Sequence, residues 1–410
     1  MDFDELRAER QAINNAVLPH SKSVALFRAC DRPWFRLTQE EVVDETGGVR
    51  HLSTSASCIE SLADVPKHQA GGTSAAKILK EVSQEFARGA LQRPADEWES
   101  EGAAEIYCRV RTLPIILDRA DASTVEPFRD QLCEHVVFVW QRLVPDDIEL
   151  LGISELVKQR SSGDPSTGGS VAPTTSREQH YPPNAFHTRW ALRLAGRYEA
   201  RSAALGLPPL PEDIGVKRTI ARLWSNRTMA VQTALIRASA DRVDAHQLAW
   251  ALVADYEEAQ QSSAATAVEQ AAPVATAQRD LYAAALAAFF GQQTETGSWP
   301  LYEPLFHYPQ AGNAYCYTFE TLAELLRPAL HTRDGRVLRQ LLRPYLEHLV
   351  LARRYADRTA IDLAQGCRGW SSGHHPHRQQ PEAWATAAVF SYLQGLRCLI
   401  GYWSADGSGR

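Results

Sequence analysis

From Pro381 to Trp403 the chain runs for roughly six helical turns with only two charged side chains, Glu382 and Arg397, among Ala, Leu, Val, Phe, Tyr and Trp. A helix that is apolar nearly all round must be ringed by neighbours or must border a cavity. Its acid comes early and its base late, where the helix macrodipole favours each. The stretch therefore predicts an inner helix of a larger helical assembly.

Helical signals recur along the rest of the chain. Periodicity and capping place helices over 3–17, from Ser53 onward, and over 73–90, 99–119 and 124–143. Pro114 marks a kink in the second of these last three. After it, Asn184 is a helix N-cap, Phe186, Trp190, Leu194 and Tyr198 form one stripe, and Gly206 with Pro208 ends the element. Further helices are expected at 216–239, 243–270, 279–291, 314–327 with Asn313 as cap, 334–356 and 381–403. The stretch 257–278 reads as an exposed helix or as a loop broken at Pro273. Thr46-Gly-Gly48 has turn chemistry, and 36–49 reads as a small irregular or hairpin region. No convincing alternating strand pattern is present. The Ser/Thr/Gly/Pro-rich segment 161–179 reads as a flexible loop between an N-terminal helical half (1–160) and a C-terminal half (180–410). The fold class is all-α.

A repeat gives these helices an arrangement. Tyr181-Pro-Pro-Asn184-Ala-Phe186 and Tyr308-Pro-Gln-Ala-Gly-Asn313-Ala-Tyr315 enter their helices alike, and Gln380-Pro-Glu-Ala-Trp384 is a looser relative. Similar entries at wide spacing suggest stacked helix pairs. Every second helix would then begin on one rim, a setting that favours anions. Pro followed by Asn-Ala is also an ordinary way to start a helix, and both readings stand.

Gln293-Thr-Glu-Thr-Gly297-Ser-Trp299-Pro, after an apolar helix, resembles the Gln-Trp repeat of the terpenoid cyclase and protein prenyltransferase class of α/α toroids. The match covers about 280–327. In that class the Gln caps a helix and stacks on the Trp, tying outer and inner helices together, so the resemblance implies an α/α toroid. Gly366-Cys-Arg-Gly-Trp370-Ser-Ser-Gly with Pro381-Glu-Ala-Trp-Ala-Thr-Ala also resembles a bacterial toroid protein of undefined function. The cyclase acids Asp-x-Asp-Asp and Asp-Asp-x-x-Asp are absent, Asp146-Asp147 being an isolated pair, and the zinc trio of the prenyltransferases cannot be assembled. The fold therefore does not bring the activity with it.

A net charge of −6 without a Lys/Arg block argues against nucleic acid as a partner. No apolar run approaches the roughly 18 residues of a bilayer span, and the acidic Met1-Asp-Phe-Asp-Glu start is unlike a signal peptide. Seven scattered cysteines, never in CxxC spacing, fit a reduced cytoplasmic setting. Nucleotide-binding loops, His-Glu-x-x-His and Gly-x-Ser-x-Gly are absent, and no cofactor is implied.

The candidate chemistry lies in aromatic and His-rich corners. Trp370 precedes His374, His375, His377 and Arg378. The three imidazoles are weak metal candidates, and with Arg378 they could instead contact an anion or simply be solvated. His307, Tyr315 and Tyr317 accompany Glu320, whose carboxyl could act as a general acid beside aromatics or only offset a helix dipole. Glu382 is the second acid candidate. His187, Trp190 and Trp384 join the ligand-binding candidates, with Glu60 as a weaker site, while Cys58 and Cys316 read as buried small hydrophobes. Two functions follow. One is a non-catalytic or divergent toroid holding a small ligand or protein partner in its central cavity or rim. The other is an enzyme acting on an isoprenoid or carbohydrate-like substrate through Glu320 and Glu382.

Overall fold

The structure is a computed structural model that describes residues 3–29, 32, 34–40, 51–64, 74–93, 98, 105–141, 143–144, 152–153, 156–158, 178–180, 185–238, 245–265, 272–299, 318–331, 335–371 and 380–407. Its helices are α1 (Phe3–Ala25), α2 (Leu52–Ala63), α3 (Ser74–Leu91), α4 (Glu105–Arg119), α5 (Ala122–Val125), α6 (Arg129–Gln141), α7 (Ala185–Leu205), α8 (Glu212–Arg237), α9 (Ala245–Ala265), α10 (Ala272–Gly291), α11 (Thr318–His331), α12 (Arg336–Leu342), α13 (Leu346–Thr359) and α14 (Ala383–Gly407).

Six of the described helices close a ring. α2 packs on α4, α4 on α7, α7 on α9, α9 on α11, α11 on α14, and α14 returns to α2. The remaining helices lie outside it and alternate with them in the chain. α1 packs on α14, α3 on α2 and α4, α6 on α4 and α7, α8 on α7 and α9, α10 on α8 and α9, and α12 on α11. The architecture is an α/α toroid with six inner helices among the described residues, built from helices on both sides of 161–179. Because inner and outer helices alternate, the inner ones run in the same sense and begin on one rim.

The apolar α14 occupies the inner position its composition requires. Trp384, Phe390, Tyr392, Leu393, Leu396, Leu399, Ile400 and Trp403 are all buried. Gly395 lets it approach α11, since a Cβ there would stand 3.2 Å from Leu326.

Several boundaries differ from the sequence reading, each for a local reason. The helix expected over 124–143 is divided by a 3-10 turn at Glu126–Phe128, and that over 334–356 by one at Arg343–Tyr345. Pro127 and Pro344 lack the amide hydrogen a continuous helix would use. Asp121 caps α5 by accepting from the Thr124 amide at 2.8 Å. Over 257–278 the described chain is helical to Ala265 in α9 and again from Ala272, and Pro273 sits in the first turn of α10, where its missing donor costs nothing. The all-α reading overlooked short antiparallel ribbons: β1 (Leu143–Val144) with β2 (Gly152–Ile153), β3 (Leu156–Lys158) with β4 (Glu178–His180), and β5 (Ile361–Asp362) with β6 (Arg368–Gly369). Pairs of two or three residues carry too little alternation to be seen in sequence. Of the expected 36–49 region only 36–40 is described; Asn184, Asn313 and helix residues 314–317 lie outside the described residues.

The Gln293–Trp299 corner is a clasp, though between different partners from those the resemblance implies. The Gln293 side-chain amide donates to the His348 carbonyl at 2.9 Å and the Gly297 carbonyl at 3.1 Å. His348 Nδ1 lies 2.7 Å from Gln293 Oε1. Trp299 stacks on Phe289 with centroids 4.7 Å apart, and its indole N–H donates to the Phe289 carbonyl at 2.7 Å. Gly297, at φ 93°, rests so close to α13 that a Cβ would lie 2.5 Å from the Leu351 carbonyl oxygen. The corner thus ties α10 to α13, one outer helix to the next. Trp370 repeats the device, its indole donating to the Ala356 carbonyl of α13 at 2.8 Å.

Candidate functional site

Polar residues recur on the inner faces of the ring at helical spacing. On α11, Glu320, Glu324 and Arg327 follow at i, i+4 and i+7. Leu322, Leu325 and Leu326 pack elsewhere in the core. On α7, Arg189 and Arg193 are one turn apart, and α2 with its C-cap brings Ser57, Glu60 and Asp64. α4 supplies Arg111, α9 Glu257 and α14 Ser391. Every inner helix contributes a group.

These groups meet across the bore. Arg111 reaches Glu320, on the opposite inner helix, at 3.4 Å, and Glu60 at 3.8 Å, while donating to Ser57 Oγ at 2.7 Å. Arg193 donates to Glu60 and stands 3.7 Å from Glu324. Arg189 contacts Glu324 at 2.6 Å and Glu257 at 3.0 Å. Arg327 grips Asp64 through two hydrogen bonds of 2.9 and 3.2 Å and bonds Glu324 at 3.2 Å. Ser391 donates to Asp64 at 2.9 Å. Trp190 is the apolar wall of this centre, with the guanidinium groups of Arg111, Arg189 and Arg193 at 4.0, 4.5 and 4.8 Å from its ring.

The electrostatics follow from burial against pairing. Burial pushes the Glu60 carboxyl upward, but Arg193, Arg327 and Arg111 outweigh it and hold it well below the usual carboxylate range. Glu324 is lowered in the same way: burial opposes, and Arg327, Arg189 and Arg193 prevail. Burial lowers Arg189, with Glu257 and Glu324 acting against it. Arg327 is raised well above its ordinary value, because Asp64, Glu324 and Glu60 overcome its burial. Glu60 and Glu324 thus stay ionised and locked to arginines. Such groups hold charge; they do not lend protons.

The sequence candidates fall in three places. Glu320 and Trp190 belong to this centre. His187 is fully buried one turn before it, edge-on to Phe186 at 5.4 Å, and burial pushes its imidazole down to about 3. Trp370, Glu382 and Trp384 form a separate corner at the start of α14. There Glu382 accepts the Trp384 indole N–H at 2.7 Å and its amide donates to the Trp370 carbonyl at 2.9 Å. The Trp370 amide donates to Thr386 Oγ1 at 3.1 Å. His307, Tyr315, Tyr317, Cys316, His374, His375, His377 and Arg378 lie outside the described residues. Among the described residues, no group of three or more His, Cys, Asp or Glu side chains could hold a metal ion, and no helix is long and apolar enough to cross a membrane.

Sequence reasoning missed most of the centre: Arg111, Arg189, Arg193, Glu257, Glu324, Arg327 and Asp64. The available signal was charge at i, i+4 inside helices whose remaining faces are apolar. Alone, that spacing reads equally well as a solvated stripe.

No protein-family model and no curated protein matches the chain. Solved structures do. The α-1,6-mannanase GH76A of Salegentibacter sp. HEL1_6 aligns with a TM-score of 0.50 at 12% identity, covering 94% of this chain and 99% of the mannanase. An inactive variant of that enzyme, in complex with α-1,6-mannotriose, aligns with the same TM-score, identity and coverage. At this identity the likeness is one of fold, and it agrees with the α/α toroid seen in the helix packing.

Proposed function

We propose that this protein is a non-catalytic toroid that binds an oligosaccharide-type ligand at the rim where its inner helices begin. The observation that carries the proposal is the pairing of the bore's acids with arginine, centred on the Arg111–Glu320 contact across the ring. A glycosidase needs one carboxyl that gives a proton and one that attacks or activates water. Glu60 and Glu324 suit neither task while held by three guanidinium groups each. At the rim the ligand would lie over the corner of Trp370, Trp384 and Glu382, which are 4%, 9% and 3% exposed among the described residues and offer the aromatic and carboxylate groups that sugar recognition uses. In this reading His307, Tyr315, Tyr317, His374 and Arg378 remain proposed ligand-binding residues. The mannanase that shares the fold binds α-1,6-mannotriose, which makes that sugar the first ligand to try.

The second reading is a carbohydrate-active enzyme using Glu320 and Glu382, favoured by the fold it shares with a mannanase. Calorimetric titration with α-1,6-mannotriose, followed by product analysis of the same sample, separates the two. Saturable binding without new reducing ends, lost in Trp384→Ala, supports the binding protein. Release of reducing ends that stops in Glu320→Gln or Glu382→Gln establishes the enzyme instead. No heat of binding removes this oligosaccharide as the ligand.

A further inference from the structure

Outer helix α8 turns an apolar stripe to solvent. Val216, Leu223, Val231 and Leu235 are 62%, 66%, 46% and 37% exposed, and half-buried Ile220 lies between them. The spacing from 216 through 220, 223 and 231 to 235 keeps all five on one side of the helix. Its other side is already used: Ile214, Ala221, Trp224, Met229 and Thr233 are buried where α8 packs on α7, α9 and α10. Scattered apolar side chains on a surface need no explanation, but an aligned row about 30 Å long does.

We propose that this stripe is the contact face of a homodimer in which α8 of one copy packs antiparallel on α8 of a second. The charges at its ends select that occupant and that direction. Glu212 and Asp213 occupy the first turn, and Arg237 the last. An antiparallel pair centred near Ser225 and Asn226 sets Val216 opposite Leu235 and Ile220 opposite Val231. The same register brings each acidic end beside the other copy's Arg237. A parallel pair would set acid on acid, which repels. Antiparallel packing also opposes the two macrodipoles favourably. Exposed Ala230 and Ala234 beside the row leave room for close approach. Asp213, Lys217 and Arg227 are charged residues on the same side, Asp213 and Lys217 pairing at 3.5 Å, and the long stems of Lys217 and Arg227 can lie along the interface.

Sedimentation velocity over about 1–200 µM, the range in which a small interface dissociates, tests this. Wild type should pass from monomer to dimer, and Leu223→Glu with Val231→Glu should remain monomeric with an unchanged circular dichroism melt. Arg237→Glu should weaken the dimer several-fold. Adding Glu212→Arg and Asp213→Arg to it should restore the affinity. Wild type that stays monomeric throughout, a dimer that survives the double glutamate variant, or a dimer indifferent to Arg237→Glu would each overturn the proposal.

Discussion

Arg111 on α4 and Glu320 on α11 face each other across the full width of the inner ring, with Nη1 3.4 Å from Oε1 and both side chains 5% exposed. No other pair of inner helices is further apart in ring order, two helices intervening on either side. Ion pairs therefore brace the bore that an open toroid would offer to a ligand. This gives the buried acids a structural task.

Removing one partner should be costly. Arg111→Met leaves Glu320 without this guanidinium and weakens the hold on Glu60, and a broken buried pair typically costs about 3–5 kcal/mol. Adding Glu320→Gln should recover part of the loss, as the Glu320 charge is then no longer left buried against an apolar side chain. Urea unfolding of the two single variants and the double variant measures the coupling. Strict additivity would show that the pair does not interact.

Acidification should destabilise the protein before ordinary carboxylates titrate. Burial lowers His187 to about 3, and burial with Arg109 nearby lowers His135 to about 4, against an ordinary value of 6.5. The unfolded chain therefore binds protons that the folded chain refuses. The stability from these neutral imidazoles is fully present above about pH 6.5 and is lost as pH falls toward their folded values, each adding up to about 1.4 kcal/mol per pH unit to the slope. Denaturant titrations between pH 6.5 and 4.5 should show a shallower slope in His187→Phe, by about one proton. An unchanged slope would mean that His187 charges in the folded state.

Legibility in the sequence followed burial pattern more than chemistry. α14 could be placed in an inner position because its composition leaves no face for water, and the Gln293–Trp299 corner is recognisable because its turn needs Gly297 and a large ring. What the clasp joins was not readable, since His348 lies 55 positions away. The bore escaped for the same reason. Arg111, Glu320 and Glu60 are ordinary charges until the ring closes, and their pairing is set by three helices distant in sequence. Glu382 was read as a possible acid, and only the fold shows that its carboxylate accepts from Trp384.

The clasp itself should be worth several kilocalories. Trp299 is 4% exposed, stacked on Phe289 and hydrogen-bonded to its carbonyl. Trp299→Ala should lower stability by about 3–5 kcal/mol, and an unaltered melting temperature would contradict the clasp.

At the same corner, Gly297→Ala combines a left-handed backbone with a Cβ aimed at the Leu351 carbonyl. A loss of about 1–3 kcal/mol is expected, read as a lower urea midpoint. Full tolerance would mean that α13 sits further from the turn than the structure places it.

The most direct measurement is of the bore acids themselves. Side-chain carboxyl carbon shifts of Glu60 and Glu324, assigned with Glu60→Gln and Glu324→Gln, can be followed by nuclear magnetic resonance from pH 7 to pH 4.5. Both carboxyls should stay ionised across the whole range, because arginines hold each of them below the ordinary glutamate value. A titration midpoint for either within that range would contradict the account, leaving a protonatable acid in the bore.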